Sequence, residues 1–397
     1  MTSTTLNPPT TITRWLLDTR SLWPGDKITD SAPTYLDLVS QSEQSNVTRK
    51  FHIADARVSL ASALLKRAYI HECTGLSWLK IKFERKGDPV HGKPVWKQPE
   101  ADFPSHPWPK IDFNISHQAG LVTLVGSCTP QHSLPASSSW GEGGTQEGQR
   151  EAEEVLVGCD IVCPHERQDL ETIRETDFDD WVSSFSEVFS GDELWDITYN
   201  LPSHSLTLLN GETVSSDRLG RLDRAILCDQ DVELKMDDGR VEKFSSDLIV
   251  EAKMRRFYAF YALKEAYIKL VGEGLMASWI KECEFRNVRA PKPGTVARCS
   301  THGVWGEVLT GGVPSGSNGA HTHGRSEDVS TVEEQLEIWL NNKEIVDVRT
   351  EVQAFEENFM IATMIRPGSI LGFDAFPAWH RIDLEHDIME RAKAPGK

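Results

Sequence analysis

Apolar residues recur with helical spacing over two long stretches of the chain. From Ala54 to Ile70 the stripe runs through Val58, Ala61, Leu65, Ala68 and Tyr69; from Val250 to Val271 it runs through Met254, Phe257, Phe260, Tyr261 and Ile268. Short apolar or β-branched runs at Leu121–Val125, Val155–Ile161, Val304–Leu309 and Phe359–Ile365 predict strands. Three stretches carry neither period: 129–154, rich in Ser, Gly and Glu; much of 201–246; and 310–331, with its GGVPSGSNGAHTHG run. These read as poorly ordered loop insertions.

The two helices end in nearly the same text, LKRAYI at Leu65–Ile70 and LKEAYI at Leu263–Ile268, five identities in six. The echo continues into TGLSWLKIKFER after the first and EGLMASWIKECEFR after the second. A helix-turn-strand unit repeated at a distance of about 200 residues predicts a duplicated α+β fold. Two such units packed face to face leave a cleft at their interface, a common place for a ligand. The copies differ at one informative position, where Glu265 replaces Arg67. Only one of them can supply a carboxylate there, which predicts a single site.

Composition narrows the class. With 397 residues, 39% hydrophobic and 26% charged, the chain can bury a large core. No apolar run approaches the ~18 residues of a membrane helix, and the start MTSTTLNPPTTITRW lacks a signal-peptide pattern. A soluble cytoplasmic protein is expected. Seven scattered cysteines without a C-x-x-C pair argue for reduced thiols and against structural zinc. The net charge of -18 is concentrated: Gly141 to Val250 holds 27 Asp and Glu against 9 Lys and Arg, and the remainder balances at 33 against 33. Between Arg49 and Lys97, 11 basic residues face 4 acidic ones, a local surface that can attract phosphates.

Four places could carry chemistry. On the second helix Glu265 and Lys269 are spaced i,i+4, which by itself suits an ordinary solvated ion pair. In VLVGCDIVCP an Asp interrupts an apolar strand; Asp160 either caps a turn or is paired or bound to a cation, and Gly158 two residues earlier marks a close backbone approach. FNISHQAGLVTLVG reads as a strand ending at Ile115, a Ser116-His117-Gln118 corner and a return strand. Ser116 and His117 would offer donors to phosphate oxygens, or simply be solvated. They lack the G-x-S-x-G context of a hydrolase nucleophile. Lys93 sits in the turn HGKPVW within the basic segment.

Taken in order, GKP at Gly92–Pro94, FNISH at Phe113–His117, GCDI at Gly158–Ile161 and ALKEAYIK at Ala262–Lys269 resemble the single-chain, surfactin-type 4'-phosphopantetheinyl transferases, the fungal broad-range members most of all. The resemblance spans about Lys50 to Arg286 and skips the insertions. It implies an α+β pseudo-dimer of two similar halves with the active site in the cleft between them. The halves would be 1–154, with 129–154 as a flexible insertion, and 155–397, carrying the metal site and insertions at about 201–246 and 310–331.

The implied activity is transfer of the 4'-phosphopantetheine arm of coenzyme A to a serine of apo acyl or peptidyl carrier proteins of polyketide, nonribosomal-peptide and lysine pathways, releasing adenosine 3',5'-bisphosphate. The resemblance assigns Asp160 and Glu265 to Mg²⁺, with Mn²⁺ able to substitute, and places Asp160, Glu265 and Lys269 at the catalytic centre. Arg57, Lys93, Ser116, His117, Lys264 and Lys269 would hold the coenzyme, Arg57 at its 3'-phosphate. The implied protein is a monomer with no nucleic-acid or membrane partner. Two departures from the pattern are Val162, where bacterial members often carry a third carboxylate that a water or Gln118 would replace, and Tyr261 in place of a Trp. FSGDEL at Phe189–Leu194 also matches the family, although a capping box suffices to explain it. The competing readings are a coenzyme A-binding protein without transferase activity and a scaffold that recruits basic partners through its acidic insertions.

Overall fold

The computed structural model describes residues 9–87, 92–99, 108–131, 154–166, 168–201, 205–220, 222, 224–273, 277–302, 335–372 and 375–394. The expected strand Val304–Leu309, the insertion at 310–331 and most of that at 129–154 lie outside the described residues.

The chain enters on β1 (Thr11–Asp18), passes two short helical turns, and forms α1 (Gln41–Thr48) and the long α2 (Ile53–Thr74). Two hairpins follow, β2 (Lys82–Arg85) with β3 (Pro94–Lys97) and β4 (Lys110–Gln118) with β5 (Leu121–Thr129). β5 pairs antiparallel with β1 on one side and β4 on the other. The predicted face of α2 covers this sheet, with Leu64, Leu65, Ala68 and Tyr69 packed among Trp15, Leu17, Phe113 and Leu124.

After β6 (Leu156–Val162) come α3 (Gly191–Tyr199), the short pair β7 (Leu206–Thr207) and β8 (Thr213–Val214), and the hairpin β9 (Asp231–Lys235) and β10 (Val241–Ser245). Helix α4 (Asp247–Val271) leads to β11 (Cys283–Arg286) and β12 (Arg298–Ser300). β13 (Glu337–Leu340), β14 (Lys343–Glu344), β15 (Arg349–Phe355), β16 (Phe359–Arg366) and β17 (His380–Arg381) complete the set. The second large sheet has the order β12-β15-β16-β6, all antiparallel, and α4 packs on β6 and β16. β11, β13 and β14 form a smaller sheet.

The loop reading of 201–246 is corrected. Two hairpins stand there around their own apolar cluster, in which Leu206, Leu208, Val214, Leu219, Leu234 and Phe244 meet Ile249 and Ala252 at the start of α4. The period-2 signal was present in DVELKM, where Val232, Leu234 and Met236 alternate with Asp231, Glu233 and Lys235. The expected end of β4 at Ile115 is also corrected. The strand runs on to Gln118, so Ser116 is a buried strand residue, and the reversal is the two-residue turn Ala119-Gly120, both with positive φ (46° and 81°).

The sequence repeat has a counterpart in hydrogen bonding. Each long helix ends on a left-handed glycine, Gly75 or Gly272, and is followed by a 3₁₀ turn, Trp78–Lys80 or Ile280–Glu282, and a strand, β2 or β11. Each unit also carries a capping box, Ser40 with Glu43 at α1 and Ser190 with Glu193 at α3. In the first unit Glu43 pairs with Arg67, which donates onward to the carbonyls of Trp78 (3.3 Å) and Ile81 (3.0 Å). In the second, Glu193 pairs with Lys264 at 2.8 Å, and Lys264 donates to Ile280 O (2.9 Å) and Cys283 O. The basic anchor has moved back by one residue. Lys264 does in the second unit what Arg67 does in the first, and the position aligned with Arg67 holds Glu265.

The two large sheets meet through apolar side chains. Leu16 and Leu121 pack with Ile161, Phe359 and Ile361, and Val125 with Val157, Cys159 and Ile365. Arg14 of β1 crosses to Glu351 of β15 at 2.7 Å, both buried, with its guanidinium 4.3 Å from the Trp379 ring. The chain's last segment returns to the first sheet. β17 pairs parallel with β1, Trp15 opposite His380, and Ile382 and Ile388 join the core beneath α2.

Helix α4 lies against β6 at Gly158, where a Cβ would stand 2.2 Å from Ala266 O and 2.9 Å from Leu270 N. This is the close approach that Gly158 foreshadows in the sequence. Gly158→Ala should therefore destabilise the protein by about 1–3 kcal/mol, because neither contact is a flexible side chain that can yield. Gly191→Ala, with nothing within 4 Å of the added carbon, should leave the melting temperature unchanged or raised. Thermal unfolding of the two variants checks this directly.

Candidate active site

Strand alternation on β4 puts Asp112, Asn114 and Ser116 on one face, all three buried and all three turned to partners just before β3, on β6 or on α4. Ser116 Oγ donates to Asp160 Oδ1 at 2.7 Å. Asp160 shares a face of β6 with Gly158, and there it meets α4: Lys269 Nζ donates to Asp160 Oδ1 at 2.6 Å and to Ser116 Oγ at 3.1 Å. Among the described residues Asp160 Oδ2 accepts no hydrogen bond.

These groups open onto a cavity of about 490 Å³. Ser116, His117 and Gln118 of β4 line it, as do Asp160 of β6, Tyr261, Glu265 and Lys269 of α4, and Ala54, Asp55 and Val58 from the first turns of α2. Five of the eight expected site residues, Ser116, His117, Asp160, Glu265 and Lys269, thus share one space. Burial works against the Lys269 ammonium, but the Asp160 carboxylate prevails and its pKa is raised. His117 lines the cavity and is exposed there, though it is still partly desolvated. That desolvation pushes its pKa down, with Lys269 and Lys50 adding to the effect.

The other three lie elsewhere. Lys264 is buried, with its ammonium on Glu193 and two carbonyls, so it does not reach the cavity and its expected phosphate role is corrected to a structural one. Burial pushes the Glu193 carboxyl up, against the lowering pull of Lys264. Glu193 accepts from Phe285 N as well, so FSGDEL is a capping box and a buried anchor at once. Lys93 is also buried. It donates to Asp112 Oδ2 (2.6 Å) and Val157 O (2.9 Å), while Val157 N donates to the same Asp112 oxygen (2.8 Å). From the residue before β3 it ties β4 to β6, and it does not line the cavity. Arg57 is on α2 near Asp55, but its guanidinium donates to Trp23 O at 3.1 and 3.2 Å.

Sequence reasoning missed Asp55 and Glu166 on the cavity wall. Glu166 lies four residues past the end of β6 and had no pattern to mark it. Asp55, in the first turn of α2, resembles any helix-start carboxylate.

Asp160, Glu265 and Gln118 line the same cavity, and each carries side-chain oxygen of the kind a hard cation such as Mg²⁺ takes. Among the described residues no cluster of three or more His, Cys, Asp or Glu side chains forms a complete metal site. A phosphate-bearing ligand that contributes its own oxygens would complete one. The cavity can hold an anion through Lys269, His117 and Ser116 while its carboxylates bind a cation, the donor set of a phosphoryl-transfer site.

A family model described as the N-terminal part of 4'-phosphopantetheinyl transferases matches residues 28–129. A 4'-phosphopantetheinyl transferase of Aureobasidium melanogenum is 43% identical over 95% of this chain and 96% of that protein. Relatives of the same name from Aspergillus fumigatus and Emericella nidulans are 33% and 30% identical, over 92% and 90% of this chain and 86% and 83% of their own lengths.

Two measurements separate structural charges from site charges. Lys264→Met strands the Glu193 carboxylate in the core and should cost about 3–5 kcal/mol in urea unfolding. Adding Glu193→Gln should return part of that loss. The depressed His117 pKa means that the unfolded chain binds its proton more tightly than the folded one. Stability should fall as pH drops through and below the ordinary imidazole value of 6.5, and His117→Gln should flatten that part of the profile.

Proposed function

Because the chain belongs to the 4'-phosphopantetheinyl transferases, we propose that its cavity transfers the phosphopantetheine arm of coenzyme A to a serine of an apo carrier protein, releasing adenosine 3',5'-bisphosphate. The observation that supports this placement is the convergence of Asp160, Glu265, Lys269, Ser116 and His117 from three elements on one space. In this reading the two α+β units are the halves of a pseudo-dimer and the cavity is their shared cleft. The duplicated capping-box anchors, Glu43–Arg67 and Glu193–Lys264, support it.

Asp160 Oδ2 and Glu265 would hold Mg²⁺, or Mn²⁺ in its place, with the coenzyme's pyrophosphate. The bound cation would neutralise charge on the phosphoryl oxygens as the bond to the leaving group lengthens. Lys269 leaves its contact with Asp160 for a phosphate oxygen and stabilises charge developing there. His117 and Ser116 hold the phosphates, and an anion beside His117 reverses the depression of its pKa and charges the ring. The carrier serine oxygen bonds to the β-phosphorus as the bond from that phosphorus to the adenosine-side bridging oxygen breaks. In this scheme Glu265 would take the serine proton, directly or through a metal-bound water.

No helix among the described residues is long and apolar enough to cross a membrane. The proposed enzyme is a cytoplasmic monomer acting on carriers of polyketide, nonribosomal-peptide and lysine pathways. A pseudo-dimer needs no second subunit to complete its cleft. The reading of a coenzyme A-binding protein without transfer is not favoured, since the similar full-length proteins are named as transferases.

Intact-mass spectrometry of an apo carrier incubated with the protein, coenzyme A and Mg²⁺ tests the proposal. One phosphopantetheine mass should be added, and chelator, Asp160→Ala or Glu265→Ala should abolish the gain. Folded protein that binds coenzyme A but modifies none of several unrelated carriers would leave the binding-protein reading in its place.

A further inference from the structure

Glu166 has no role in the transfer scheme, yet it lies on the wall of the same cavity. It closes the turn that follows β6, where its backbone N–H donates to Cys163 O at 3.1 Å. Its side chain reaches across to the β4–β5 turn, and Oε1 accepts the backbone N–H of Ala119 at 2.9 Å.

That turn is under strain. A two-residue hairpin reversal of this hand needs both residues in the left-handed region, a place suited to Asn or Asp followed by Gly. Gly120, at φ 81°, meets the requirement, but Ala119, at φ 46°, carries a Cβ that disfavours it. The turn is gripped from the other side as well, where Thr19 donates its backbone N–H (2.8 Å) and its hydroxyl (2.7 Å) to Gly120 O. A carboxylate accepting a backbone N–H makes a charge-assisted bond, stronger than a neutral one. Its loss would leave the turn held by Thr19 and the flanking Gln118–Leu121 pair, neither of which contacts the Ala119 N–H.

His117 and Gln118 immediately precede this turn, whereas Asp160 lies on the strand that Glu166 follows. We infer that Glu166 is a positioning residue: from the chain that carries Asp160 it clamps the strained Ala119-Gly120 turn, and so sets His117 and Gln118 in place relative to Asp160. The inference rests on the phosphopantetheine-transfer reading of the cavity.

The test compares wild type, Glu166→Ala, Glu166→Gln and Ala119→Gly, with the Ala119→Gly/Glu166→Ala double variant, in carrier modification. The readouts are KM for coenzyme A, kcat and melting temperature. Glu166→Ala should raise KM for coenzyme A about tenfold, more than it lowers kcat, as expected of a misplaced binding group. The amide oxygen of Glu166→Gln still accepts from Ala119 N, and a glycine at 119 holds the turn without strain. Recovery of KM in either the Gln variant or the double variant supports the clamp. A Glu166→Ala KM within about twofold of wild type, or no recovery in either variant, overturns it. Wild-type protein that modifies no carrier would instead refute the transfer reading, so the two failures are distinct.

Discussion

The cavity depends on how closely helix α4 lies on strand β6. At Gly158 the helix backbone occupies the space a side chain would fill, with Ala266 O 2.2 Å from where a Cβ would be. Two residues along the same face, that closeness lets Lys269 reach the Asp160 carboxylate at 2.6 Å, and it brings Glu265, one helical turn earlier, to the same wall. A larger residue at 158 would shift the helix and pull apart the groups that line the cavity. The GCDI text therefore carries two linked requirements, a missing side chain and a carboxylate. The first sets the reach of the second.

Buried charge is divided by use. Lys264 with Glu193, Lys93 with Asp112 and Arg14 with Glu351 neutralise one another inside the protein and fix neighbouring elements. Such pairs add little net stability over apolar packing, but removing one partner costs several kcal/mol, so they hold geometry firmly. The cavity groups are arranged differently. Among the described residues Lys269 is the only cation directly on Asp160, and its side chain is 28% exposed, which leaves it open to a competing anion.

Long periodic segments could be read from the sequence and short ones could not. Both long helices, and the strands at 121–125, 155–161 and 359–365, formed within a few residues of their expected limits because each buries a continuous stripe. β1 and β15 escaped notice because polar and charged residues, among them Arg14 and Glu351, interrupt their apolar pattern, and these two pair with each other across the sheets. The same limit applies at the site. Asp160 stood out as a carboxylate within an apolar strand, and Glu265 as the position where the two repeats differ. A motif lysine such as Lys264 looks the same in text whether it faces a phosphate or a buried glutamate. What would have distinguished it is the S-x-x-E text that precedes each long helix, at Ser40–Glu43 and Ser190–Glu193, which marks the partner of each anchor.

The return of β17 to the edge of the first sheet bears on how the protein is made. Trp15 and His380 are register partners at nearly opposite ends of the chain, and Ile382 and Ile388 cover apolar surface beneath α2. During synthesis the first α+β unit leaves the ribosome long before that cover exists. It must wait with an unpaired β1 edge and an open patch until the last residues emerge. Contacts of such long sequence separation form late and slowly, and the waiting intermediate is the species most exposed to aggregation or chaperone capture. The nascent chain therefore cannot mature one half at a time, even though its text is written in two.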